Sequence, residues 1–68
     1  MSIFPDLKLM AQVKALDIYA QAISQGSSQL MNASNKDSAE YLSLRDYTLE
    51  TITEFKGTLN QIEAHLVG

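Results

Sequence analysis

The sequence predicts an all-α chain: an antiparallel hairpin of two long helices, over about residues 5–33 and 38–67, which dimerises into a four-helix bundle. Three observations carry that expectation. Two stretches repeat apolar residues at steps of four and three, a short polar break separates them, and no alternating β pattern is sustained anywhere. Residues 1–68 read as one helical-hairpin domain without an internal repeat.

In the first stretch, Leu9, Val13, Leu16, Ala20, Ile23, Ser27 and Leu30 fall along one seam of a helix. Pro5 suits a first helical turn and Asp6 suits the positive end of the helix dipole, so the start is expected near residues 4–6. Gly26-Ser27-Ser28 contains a possible early stop, because Gly is the usual residue just beyond a helix end. Continuity is preferred, since an uninterrupted first arm matches the second in length.

The break Asn32-Ala33-Ser34-Asn35-Lys36-Asp37 is rich in residues that cap, turn and tolerate left-handed backbone angles. A connection this short makes neighbouring helices antiparallel. Asp37 with Glu40 three residues later reads as a capping pair, which starts the second helix at about Ser38. Its seam is Thr48, Ile52, Phe55, Leu59, Ile62 and Leu66, extended backwards by Tyr41, Leu42 and Leu49.

Both arms carry more apolar residues than one narrow seam needs. Met10 and Met31 flank the first, and Leu42, Leu44 and Leu49 flank the second. A stripe this wide suits a helix that faces two neighbours. Below about 70–80 residues a single core supplies roughly 3–5 kcal/mol at most, and small proteins supplement it with disulfides, a metal or another subunit. The 68 residues contain no Cys and one His, His65, so no disulfide or thiolate zinc site is available and no imidazole cluster can form. A second copy is the remaining supplement, with Leu9, Val13, Leu16, Ala20, Ile23, Leu30, Ile52, Phe55, Leu59, Ile62 and Leu66 as core and dimer residues.

Catalytic chemistry finds no constellation. Glu63 lies two positions from His65 and points to another helix face, and Gln61 cannot act as a base. His65 reads as a surface residue near a helix C-terminus. The Ser residues have no base at a useful spacing. A di-iron bundle needs Glu three residues before an inward His, which His65 lacks. The chain is therefore expected to be non-enzymatic, with no metal and no cofactor.

Charge and hydropathy bound the partners. Five basic residues against eight acidic ones give −3, too little positive charge to expect nucleic acid. The start, Met1-Ser2-Ile3-Phe4-Pro5-Asp6, lacks a signal-peptide pattern, and no stretch approaches the ~18 continuous apolar residues of a membrane span. A cytoplasmic location is expected. The charge is also uneven: residues 37–68 carry six acids and two bases, net −4, and residues 1–36 carry three bases and two acids, net +1.

Asp46, Glu50 and Glu54 recur every four residues along one face, where like charges repel by a few tenths of a kcal/mol per pair. Tyr47 falls outside the seam beside Glu50 and Glu54, and Ile18 is an apolar outlier on the first arm. These five residues are the candidate partner-binding surface, suited to a protein with a basic surface, including a groove that otherwise holds nucleic acid. The plainer alternative is a solvated acidic face bearing one exposed Tyr and one exposed Ile.

Residues 18–35 contain no charge, and Ala20, Ala22, Ser24, Gly26, Ser27 and Ser28 are small. Such a half-helix lets neighbouring helices approach closely or forms a contact reserved for another protein; insertion into a membrane is disfavoured, because its Gln, Ser and Asn residues would leave many polar groups to satisfy in lipid. The function expected is a small protein-interaction module: a regulator, inhibitor or adaptor of a larger protein. The alternative is a structural or assembly subunit, of a filament or of secretion or virion type. A nucleic-acid-binding dimer of hairpins shares the architecture but lacks the basic face.

Overall fold

The computed structural model describes residues 7–68. Two helices, α1 (Leu7–Met31) and α2 (Ala39–Val67), lie side by side and antiparallel, joined by the loop of residues 32–38. Two pairs along the hairpin mark the antiparallel register. Gln12 Nε2 donates to Gln61 Oε1 near the open end, and Gly26 meets Thr48 towards the loop. The expected start of the first helix at residues 4–6 lies outside the described residues.

Gly26 does not interrupt α1, which runs through it to Met31. The helix ends two residues before the expected residue 33, where Asn32 N–H still reaches Ser28 O at 3.1 Å and Ala33 N–H reaches Leu30 O at 3.4 Å. The step from a four-residue to a three-residue bond tightens the last turn and releases the chain into the loop.

The cap of α2 differs from the Asp37–Glu40 pair. Ser38, with extended backbone angles of −70° and 155°, is the N-cap, and its Oγ accepts from Tyr41 N–H at 3.1 Å. Asp37 is drawn into the loop instead, its own N–H donating to Asn35 Oδ1 at 2.9 Å. An Asn side chain that mimics a backbone turn two residues ahead competes for this position, and Ser38 is then the next oxygen in reach of the helix. Glu40 sits in the first turn, where its charge suits the dipole.

The most buried residues of the described chain are small or polar. Gly26, Thr48 and Thr51 are buried, and among the described residues no hydrophobic side chain is. Both threonines are satisfied within their own helix: Thr48 Oγ1 donates to Leu44 O at 2.8 Å and Thr51 Oγ1 to Tyr47 O at 2.9 Å. Their burial therefore leaves no polar group stranded.

Of the expected seams, Thr48 lies in the contact with Gly26, and the apolar members keep part of their surface open to solvent. Val13 is 49% exposed and Leu59 42%, while Leu16, Ile23, Leu30, Ile52, Phe55 and Ile62 are only partly covered. Leu66 is exposed near the end of α2 and Ala20 on α1. The chain measures 55 × 17 × 14 Å, with a Cα radius of gyration of 15.9 Å against about 11 Å for a compact domain of this length. One layer of two helices has two broad sides and no second layer to cover either.

Candidate functional site

The two sides of the hairpin are chemically different. Residues two apart on a helix point roughly 200° apart, so Ile18 and Ala20 face opposite sides of α1, as Glu50 and Ile52 do on α2. On the first side, Ala20, Ile23 and Ser24 of α1 and Ile52, Phe55, Lys56 and Leu59 of α2 line an open hollow of 500 Å³. Lys56 is its one charged residue, and a long stem lets a lysine cover apolar surface while its ammonium stays in water.

On the second side, Ile18, Tyr19 and Ala22 of α1 and Tyr47, Glu50, Thr51 and Glu54 of α2 line a smaller groove of 210 Å³. Four of the five candidate partner-binding residues, Ile18, Tyr47, Glu50 and Glu54, thus stand along one groove although nearly thirty residues of sequence separate Ile18 from Tyr47. Ile18 is 64% exposed and Tyr47 57%. Among the described residues no salt bridge engages Glu50 or Glu54, which leaves two carboxylates one helical turn apart beside an aromatic ring and an aliphatic side chain. Asp46 is the fifth candidate and stands apart: its Oδ1 pairs with Arg45 Nη2 at 3.2 Å, and it does not line the groove.

Tyr19 and Ala22 are groove residues that the sequence did not single out for binding. Their signal lay in sequence spacing: Tyr19 follows Ile18, and Ala22 is one turn beyond it, the neighbour on the same helical face. What spacing could not supply is the pairing of that face with Tyr47 and Glu54 across the hairpin.

Two further hollows lie at the ends. At the loop end, Leu30, Ala33, Tyr41 and Leu44 contribute to one of 290 Å³; at the open end, Lys8, Leu9, Gln12, Gln61, Ala64 and His65 line one of 570 Å³. Among the described residues no three His, Cys, Asp or Glu side chains cluster to hold a metal ion, and no helix is long and apolar enough to cross a membrane. His65 stands in the last turn of α2.

The fold and its surfaces define a class, the two-helix hairpin with one apolar side and one acidic, aromatic side. No family model matches the chain, and comparison with curated proteins and with solved structures returns no match either.

Proposed function

We propose that this chain is a non-enzymatic protein-interaction module, a regulator, inhibitor or adaptor that pairs with its own copy as a four-helix bundle and binds a larger protein through the Ile18–Tyr47–Glu50–Glu54 groove. The observation that carries the partner-binding part is the convergence of an exposed Ile, an exposed Tyr and two carboxylates without a salt bridge in one groove. An aromatic beside an aliphatic residue supplies contact area, and the carboxylates favour a basic protein surface, steering association in a salt-dependent way. The setting that fits is the cytoplasm, with neither nucleic acid nor a membrane as partner and no cofactor.

Affinity capture from the native host tests this with two baits, the wild-type chain and Glu50→Lys/Glu54→Lys. A basic protein retained by the first and lost by the second, with helical circular dichroism equal in both, is the expected result. Equal retention by the two baits removes the groove from the function.

A second reading, a structural or assembly subunit, draws on the same thinness of the hairpin: both broad sides are open, and contacts on both sides extend into a polymer. Sedimentation velocity separates the two, since a regulator sediments as one discrete species and a polymer does not.

A further inference from the structure

The hairpin as a whole exposes more surface than a compact chain of its mass. Folded monomers of 7.5 kDa expose about 4,250 Å² by the usual scaling of surface with mass, whereas this chain exposes 5525 Å², an excess of roughly 1,300 Å². A standard protein–protein interface buries about 800 Å² on each partner. The excess, spread over the whole elongated hairpin, is more than one standard interface would remove from each copy.

The residues on the apolar side agree. Among the described residues no hydrophobic side chain is fully buried within the hairpin, and Ile23, Ile52 and Phe55 are only partly covered, so the single chain leaves part of its hydrophobic stabilisation unused. Ala20, Ile23, Ile52, Phe55 and Leu59 form a continuous hollow from both helices, with Lys56 the single charged residue lining it. A face this poor in charge is compatible with its own copy, because two-fold pairing brings the same patch against itself without opposing carboxylates. The acidic groove is not: self-pairing there sets Glu50 and Glu54 against a second pair of the same sign.

We infer that a second copy of this chain docks on the side formed by Ala20, Ile23, Ile52, Phe55 and Leu59, leaving the Tyr47 groove of each copy on the outside of the bundle. The inference rests on the proposed self-pairing and adds which surface performs it. Each groove then faces solvent on an opposite flank, so self-association and partner binding do not compete for residues.

The test uses the full chain. Sedimentation equilibrium of the wild type gives a species of twice 7.5 kDa, and its melting temperature rises with each tenfold increase in protein concentration. Phe55→Glu and Ile23→Glu each raise the dimer dissociation constant at least about 30-fold, as expected for a central interface residue. Tyr47→Ala and Glu50→Lys/Glu54→Lys leave it unchanged.

A monomer at all concentrations, with a melting temperature independent of concentration, overturns the self-pairing itself and needs no variant to read. A dimer that tolerates Phe55→Glu but is lost in Tyr47→Ala overturns the assigned side alone. Open-ended polymers overturn the two-fold arrangement and favour the assembly subunit.

Discussion

Thr48 occupies the space that a side chain on Gly26 would need. A Cβ built on Gly26 runs into Thr48 Oγ1 and lies 3.5 Å from both Thr48 Cβ and Cγ2. The glycine stands in mid-helix, where it costs about 0.5–1 kcal/mol relative to Ala. Close approach of α1 to α2 at this level is what that cost maintains.

Gly26→Ala is therefore expected to destabilise the hairpin although it improves helix propensity. The propensity gain is at most about 1 kcal/mol and the forced displacement of Thr48 costs about 1–3 kcal/mol. Gly57→Ala is the control: nothing lies within 4 Å of its would-be Cβ, and it is expected to stabilise by about 0.5–1 kcal/mol. Urea denaturation of the two variants at one protein concentration gives shifts of opposite sign.

The Gly26 effect depends on its partner. In the double variant Gly26→Ala/Thr48→Ala the hydroxyl is gone, and the destabilisation expected is smaller than the sum of the single effects by about 1 kcal/mol or more. A double-mutant cycle measured by chemical denaturation reads this coupling. Strict additivity contradicts the contact.

Ser38→Ala removes the oxygen that accepts from Tyr41 N–H and is expected to cost about 1 kcal/mol. Asp37→Ala is expected to cost less, since the helix end is capped by Ser38 and the Asp37 contact runs through its backbone. Thermal melts followed at 222 nm compare the two, and a larger loss for Asp37 contradicts the assignment of the cap.

Asp46→Ala is expected to change stability by no more than about 0.5 kcal/mol, because its pair with Arg45 is exposed on both sides and screened by water. Tyr47→Ala is expected to fall in the same range, since more than half of Tyr47 is in solvent. Denaturation midpoints check both, and near-wild-type stability makes Tyr47→Ala a usable probe of binding.

Much of the fold was legible because it depends on local pattern. The four-and-three spacing from Leu9 to Leu30 and from Thr48 to Leu66 identifies two helices, and the polar loop between them makes the arms antiparallel. The cap was misplaced by one residue because Asp37 and Ser38 are both good N-cap types, and only the Asn35 side chain bonding to Asp37 N–H decides between them. The groove was legible in part. Tyr47, Glu50 and Glu54 share a face of one helix at helical spacing, but Ile18 joins them through the register of the hairpin and Asp46 drops away toward Arg45.

By itself the sequence determined that this chain makes two helices, where they break, and that each carries an apolar stripe too wide for one neighbour. The tertiary structure decided which line of each helix faces the other. Periodicity placed Thr48 on the second seam but could not pair it with Gly26; the absence of a side chain on Gly26 lets α1 approach Thr48 closely, and those residues are 22 positions apart in the chain. With the helices joined along that line, Ala20, Ile23, Ile52, Phe55 and Leu59 line one open side and the acidic groove runs along the other.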